Sequence, residues 1–140
     1  MAKFLLTDGY VSINGVDLST YGFGLQTPQT REQVDVSGFN STGAKEYLAG
    51  SRDDSAIISF LQDFAGSKVH QTVSPLFQNS STFGFEIRPT SGSVSATNPR
   101  YWGTAAIFNY TGLDGQISNR SETQVELKAA TSTGFVWATS

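Results

Sequence analysis

The residues in this chain that could do chemistry are few and scattered. There is one histidine, His70, and no cysteine. A serine hydrolase needs a serine beside a histidine that a third group holds in place. No serine here lies in a G-x-S-x-G elbow, so His70 reads as a surface or groove-lining side chain. The lack of cysteine removes disulfides, thiolate metal sites and a cysteine nucleophile together. The densest acidic pair, Asp53-Asp54, lacks the alternate-residue spacing of a calcium loop and reads as a turn before a strand that opens at Ser55. Gly22-Phe23-Gly24-Leu25-Gln26-Thr27 begins like a dinucleotide loop, but it has no third glycine and no helical pattern after it. It reads as a flexible connector. Glu86 and Glu126 lie on the polar faces of different strands and could serve as a glycosidase pair, though solvated sheet positions account for them more simply. Tyr101, Trp102 and Trp137 could form a sugar-stacking platform; large aromatics in strands equally suit a core or a subunit interface. The expectation is a protein with no catalytic residues, no cofactor and no metal, whose work is assembly or binding.

The elements that would position these side chains are mostly strands. Val11 and Ile13 alternate with Tyr10 and Ser12, and Asn14-Gly15 leads into Val16-Asp17-Leu18, the pattern of a tight hairpin. Gln33 to Val36 and Ala44 to Leu48 read as two further strands around the polar excursion Ser37 to Gly43. From Ser55 to Phe64, Ala56, Ile58, Phe60 and Phe64 share one face. Phe83, Phe85 and Ile87 alternate with polar neighbours, Tyr101 to Tyr110 is apolar on both faces, Val125, Leu127 and Ala129 alternate again, and Gly134 to Thr139 is the last strand. One segment breaks the period of two. Val69, Val73, Leu76 and Phe77 recur at helical spacing, which predicts a helix over 67–77 with Ser67 as its N-cap and Pro75 as a kink or early stop. The fold class is therefore mostly β, with seven or eight strands and one short helix, in a single domain over 1–140.

Composition agrees. At 140 residues the chain can bury a core without staples. Only 15% of residues are charged, against about a quarter in average soluble domains, and Ser, Thr, Asn, Gln and Gly take their place, as suits sheets and tight turns. A net charge of −3 argues against a surface that grips nucleic acid. No apolar run approaches the about 20 residues of a membrane helix, and Phe4-Leu5-Leu6 is too short for a signal core, so a soluble chain without an export signal is expected. Sequons at Asn40, Asn79, Asn109 and Asn119 are the chance yield of a Ser/Thr/Asn-rich chain.

From about residue 31 onward an ordered set of segments resembles the major tail (tail tube) proteins of long-tailed, siphovirus-like bacteriophages. They are Val34-Asp35-Val36-Ser37-Gly38-Phe39, Lys45-Glu46-Tyr47-Leu48-Ala49-Gly50, Leu61-Gln62-Asp63-Phe64, Pro75-Leu76-Phe77, Glu86-Ile87-Arg88-Pro89-Thr90 and Ser95-Ala96-Thr97-Asn98-Pro99. None is a catalytic signature. The resemblance implies a β-sandwich or split β-barrel flanked by one helix, six copies closing into a ring, and rings stacking into a hollow tube around a tape-measure protein, with tail terminator and distal tail proteins at its ends. DNA would pass through the lumen without specific binding. It implies a virion protein assembled in the host bacterial cytoplasm, with no membrane partner and, by a lean, a flexible tail. On this likeness 37–43 is an arm reaching the neighbouring ring, with Gly38, Phe39, Asn40 and Ser41 as its contact residues. Asp35, Glu46, Asp63, Glu86 and Glu126 are candidate lumen carboxylates, since like charge lets DNA slide. The alternative is a monomeric β-sandwich that binds carbohydrate through Tyr101, Trp102 and Trp137.

Overall fold

A computed structural model describes residues 4–39 and 43–140. The strands are β1 (Tyr10–Ile13), β2 (Val16–Asp17), β3 (Gly22–Gln26), β4 (Gln29–Asp35), β5 (Tyr47–Leu61), β6 (Phe83–Arg88), β7 (Arg100–Asp114), β8 (Glu122–Ala129) and β9 (Val136–Ala138), with α1 (Val69–Gln78) between β5 and β6. They form one nine-stranded antiparallel sheet ordered β2-β1-β6-β7-β8-β5-β3, with β4 on β5 and β9 on β7. Asn14 and Gly15 both take positive φ (52° and 81°), the requirement of the two-residue turn whose twist matches flanking strands.

Alternation decides which way the sheet curls. Val11 and Ile13 of β1, Ala56, Ile58 and Phe60 of β5, Phe83, Phe85 and Ile87 of β6, Val125 and Leu127 of β8 all turn inward and join one cluster. The two ends of the sheet approach each other: a Cβ at Gly9, just before β1, would lie 3.3 Å from Leu25 of β3. Leu18 donates to the Val11 carbonyl (2.9 Å) and Leu61 to the Tyr21 carbonyl (2.7 Å), tying the outer strands to the body. The result is a split barrel, and α1 packs Val69, Val73 and Leu76 into the same cluster. Each such side chain contributes about 1.5–3 kcal/mol on burial.

Several sequence expectations change here. The helix starts at Val69; Ser67 is not its cap, because Ser67 sits at φ 61° and Lys68 takes the cap position without a side-chain bond. Pro75 is accommodated inside the helix. Asp53-Asp54 is no turn but the middle of β5, which runs unbroken for 15 residues. Gly22 to Gln26 is a strand, not a connector, paired with Phe60 to Ile57 across a bulge. β5 ends at Leu61, so Phe64 leaves the inner face and is half exposed.

Candidate assembly surface

β4 and the first half of β5 leave the barrel as a two-stranded arm. Every residue of β4 is exposed, and from Tyr47 to Ala49 so is β5. Among the described residues, no core residue falls between Gln29 and Asp53. The register places Val34 opposite Leu48 and Asp35 opposite Tyr47, and the Val36 N–H donates to the Glu46 carbonyl at 2.9 Å. Strand pleating then puts Val34, Val36 and Leu48 on one face as an apolar stripe, with Glu46 at its end, and Asp35 and Tyr47 on the other. Leu48 is 59% and Tyr47 50% exposed, and Phe39, past the strand end, is fully exposed. Gly38 has open space around it. Asn40 and Ser41 lie outside the described residues. Asp35 closes β4 by accepting from the Ser37 N–H at 2.9 Å; this bond, with help from the Ser37 hydroxyl, holds its carboxyl below the usual range.

The five candidate lumen carboxylates do not meet at one place. Asp35 and Glu46 belong to the arm and its end. Asp63 lies beyond β5, where its Oδ1 accepts from the Ala65 N–H (2.9 Å). Glu86 and Glu126 share the outer face of the sheet, because their neighbours Phe85, Ile87, Val125 and Leu127 are buried. Both have cationic partners: Glu86 lies 3.5 Å from Arg88 and 3.4 Å from Arg100, and Glu126 lies 3.9 Å from Lys128. Lys128 also pairs with Asp53 at 3.2 Å. Arg88 stacks on Tyr10 (3.9 Å) and Arg100 on Trp102 (4.5 Å), so this face sets three cations against three carboxylates in a charge-balanced ladder. Asp35, Glu46 and Asp63 have no ion-pair partner among the described residues.

The aromatic platform is not built. Tyr101 is fully buried, its hydroxyl donating to the Ser55 carbonyl at 3.1 Å. Trp137 faces Tyr101 across the β7–β9 pair while Trp102 faces Val136, so the two indoles stand on opposite sides of the sheet. His70 Nδ1 lies 2.8 Å from the Tyr110 hydroxyl and its ring packs on half-exposed Phe64 at 4.8 Å, a partly covered surface position. Among the described residues no group of three His, Asp or Glu side chains is gathered to hold a metal, and no helix is long and apolar enough to cross a membrane.

Sequence reasoning missed the apolar stripe on the arm and the polar cluster at its root, where Gln29, Arg52 and Asp54 meet the backbone of Phe135. One signal was present. Arg31, Glu32, Asp35, Lys45, Glu46, Arg52, Asp53 and Asp54 crowd into one segment of a chain with only 9 basic and 12 acidic residues, which marks strands exposed on both faces.

The curled antiparallel sheet with its single helix has the fold of solved tail tubes. No protein-family model matches the chain, and no curated protein matches it. Solved structures do. The chain is similar to the tail tube of phage SPP1, with TM-score 0.75 and 12% identity over 99% of this chain and 80% of that one. It is similar to a chain in the virion of a native gene transfer agent, with TM-score 0.73 and 16% identity over 94% and 95%. It is also similar to the tail of an empty gene transfer agent particle with C6 symmetry, with TM-score 0.67 and 15% identity over 86% and 82%. At such identities the likeness is one of fold.

Proposed function

We propose that the chain is the subunit of a virion tail tube, a structural protein that catalyses no reaction. Six copies close into a ring, rings stack into a hollow tube around a tape-measure protein, and tail terminator and distal tail proteins bound it at either end. DNA later passes through the lumen. Assembly takes place in the cytoplasm of the bacterial host. The observation that carries this reading is the arm: a long ribbon with an apolar stripe on one face that the single chain leaves in water. Apolar surface of this kind marks a contact with another molecule. The sixfold symmetry of a similar tail supports a ring of six. In this reading the stripe and Phe39 reach the adjacent ring together with Gly38, Asn40 and Ser41, while Asp35, Glu46 and Asp63 are the carboxylates free to repel DNA from the lumen.

Excising residues 37–43 tests the reading. The expected product is a folded monomer that does not stack, seen by negative-stain electron microscopy beside parent protein that forms rings or tubes. Tubes that form normally without the loop sink the inter-ring role. A map of the assembled tube with a neutral or basic lumen wall sinks the carboxylate lining.

A further inference from the structure

The segment that follows β8 is bound in a way that neither core packing nor the tube explains. Phe135 is fully buried, its ring edge-on to Phe85 at 4.5 Å and to Tyr101 at 5.6 Å. Its backbone is gripped from the arm. The Phe135 N–H donates to Asp54 Oδ2 (2.9 Å), and its carbonyl accepts from Gln29 Nε2 (3.2 Å) and Arg52 Nη2 (3.3 Å). Arg52 Nη2 also donates to the Thr133 carbonyl (2.8 Å), and its Nε pairs with Asp54 at 2.8 Å. Asp54 is only 3% exposed, and removing one of these partners from a buried ion pair is strongly destabilising.

Gln29 and Asp54 are cross-strand partners, and Arg52 lies two residues further out on β5. The cluster therefore holds both strands of the arm at the line where they leave the barrel. Outward of it, β4 and β5 are exposed apart from half-covered Gly50, and a two-stranded ribbon is at best marginally stable on its own. We infer that residues 131–138 form a latch that fixes the angle between arm and body, and that its release lets the arm swing. Gln29, Arg52 and Asp54 are positioning residues in this scheme. Arg52 also lines an open cleft of about 620 Å³ with Arg31, Lys128, Thr131 and Ser132, which leaves the latch within reach of a neighbouring copy. Only this last consequence rests on the tube reading; the coupling itself belongs to the single chain.

The chain has no cysteine, so Lys45→Cys and Gln78→Cys place one spin label on the arm and one on the helix end without background. The distance distribution is measured in the monomer of the parent and of the Asp54→Asn and Phe135→Ala variants. Hydrogen exchange from Thr133 to Ala138 reports whether the latch has opened. The expected result is one narrow distribution in the parent, and at least twofold broadening in both variants alongside at least tenfold faster exchange. Faster exchange with an unchanged distribution overturns the inference. Should either variant fail to fold, Gln29→Ala removes two root bonds from an exposed strand, and a width equal to the parent's there overturns it as well. Loss of tubes in an arm deletion bears on stacking alone and leaves the latch result standing.

Discussion

At Gly134 the backbone enters the left-handed region (φ 66°), and an added Cβ would lie 2.6 Å from Arg52 Nη2 and collide with the Asp54 carboxylate. At Gly103 an added Cβ would meet the Phe135 ring at 2.7 Å and the Gly134 carbonyl at 2.9 Å. Both glycines thus make room for the buried segment at Phe135. Gly134→Ala and Gly103→Ala are each expected to cost about 1–3 kcal/mol through overpacking. Gly84→Ala, with open space at its Cβ, should stay within about 0.5 kcal/mol of the parent. Urea unfolding of the three variants checks the ordering, and a Gly103→Ala protein as stable as Gly84→Ala would contradict it. Tyr101 shares the core with Phe135. Burial, followed by the Asp54 charge and opposed by Arg52, pushes its phenol above the ordinary value of 10. The folded state then holds this proton more tightly than the unfolded chain. The stabilisation is intact below about pH 10 and is lost as pH rises beyond it. Tyr101→Phe should lose about 1 kcal/mol near neutrality with its bond to Ser55. It should also decline less steeply than the parent above about pH 10; equal slopes would refute the assignment.

The helix α1 starts without a side-chain cap. Lys68 holds extended backbone (φ −105°) with no side chain bonded to the first turn, although the His70 N–H finds the Asp63 carbonyl at 3.1 Å. A serine at this position would accept from the Gln71 N–H, a gain of about 1 kcal/mol. Against this, Lys68 Nζ sits 5.9 Å from the centre of the Tyr21 ring, worth about 0.5 kcal/mol at an exposed site. Lys68→Ser is therefore expected to stabilise by about 0.5 kcal/mol, and a lower urea midpoint than the parent's would show the stacking to dominate. The same helix shows what the sequence could reveal. Val69, Val73 and Leu76 announced its buried stripe, just as Phe83, Phe85 and Ile87 announced a one-sided strand, because burial on one face imprints a period. Ser67 looked like a cap by type alone, and only its backbone angle rules it out. β3 was hidden by Gly22 and Gly24, residues that signal turns. Of the arm only Gln33 to Val36 and Ala44 to Leu48 were legible as strands, because its root over 29–32 and 49–53 has no buried face to imprint a period. Asp53-Asp54 looked like a turn because the partners that let a carboxylate sit buried in a strand come from Phe135 and Arg52, one of them far away in the chain. The sugar platform failed for a related reason. Whether Trp102 and Trp137 share a face depends on the β7–β9 register, which neither strand encodes by itself.

At the scale of the whole molecule, two forces act between copies of the chain and salt separates them. Each copy carries a net charge of −3, so copies repel, weakly and over a range of about 10 Å at 0.1 M salt. The arm offers Val34, Val36, Leu48 and Phe39, whose contacts would be driven by removing apolar surface from water and hardly opposed by added salt. Self-association led by the stripe should therefore become faster and more complete as sodium chloride rises from about 0.05 to 0.5 M, followed by light scattering. Val34→Ser with Leu48→Ser should slow it at every salt concentration while leaving the unfolding midpoint nearly unchanged, since both residues stand outside the core. Were the contact built instead on the arm's charges, Arg31 and Lys45 against Glu32, Asp35 and Glu46, salt would dissolve the assemblies and the serine pair would matter little. Duplex DNA discriminates further. A conduit that repels phosphates should leave DNA mobility unchanged even at low salt, where any basic stripe would bind most strongly. Retardation that weakens steeply with salt would mean that the balanced ladder of Arg88, Arg100 and Lys128, not the free carboxylates, faces the DNA.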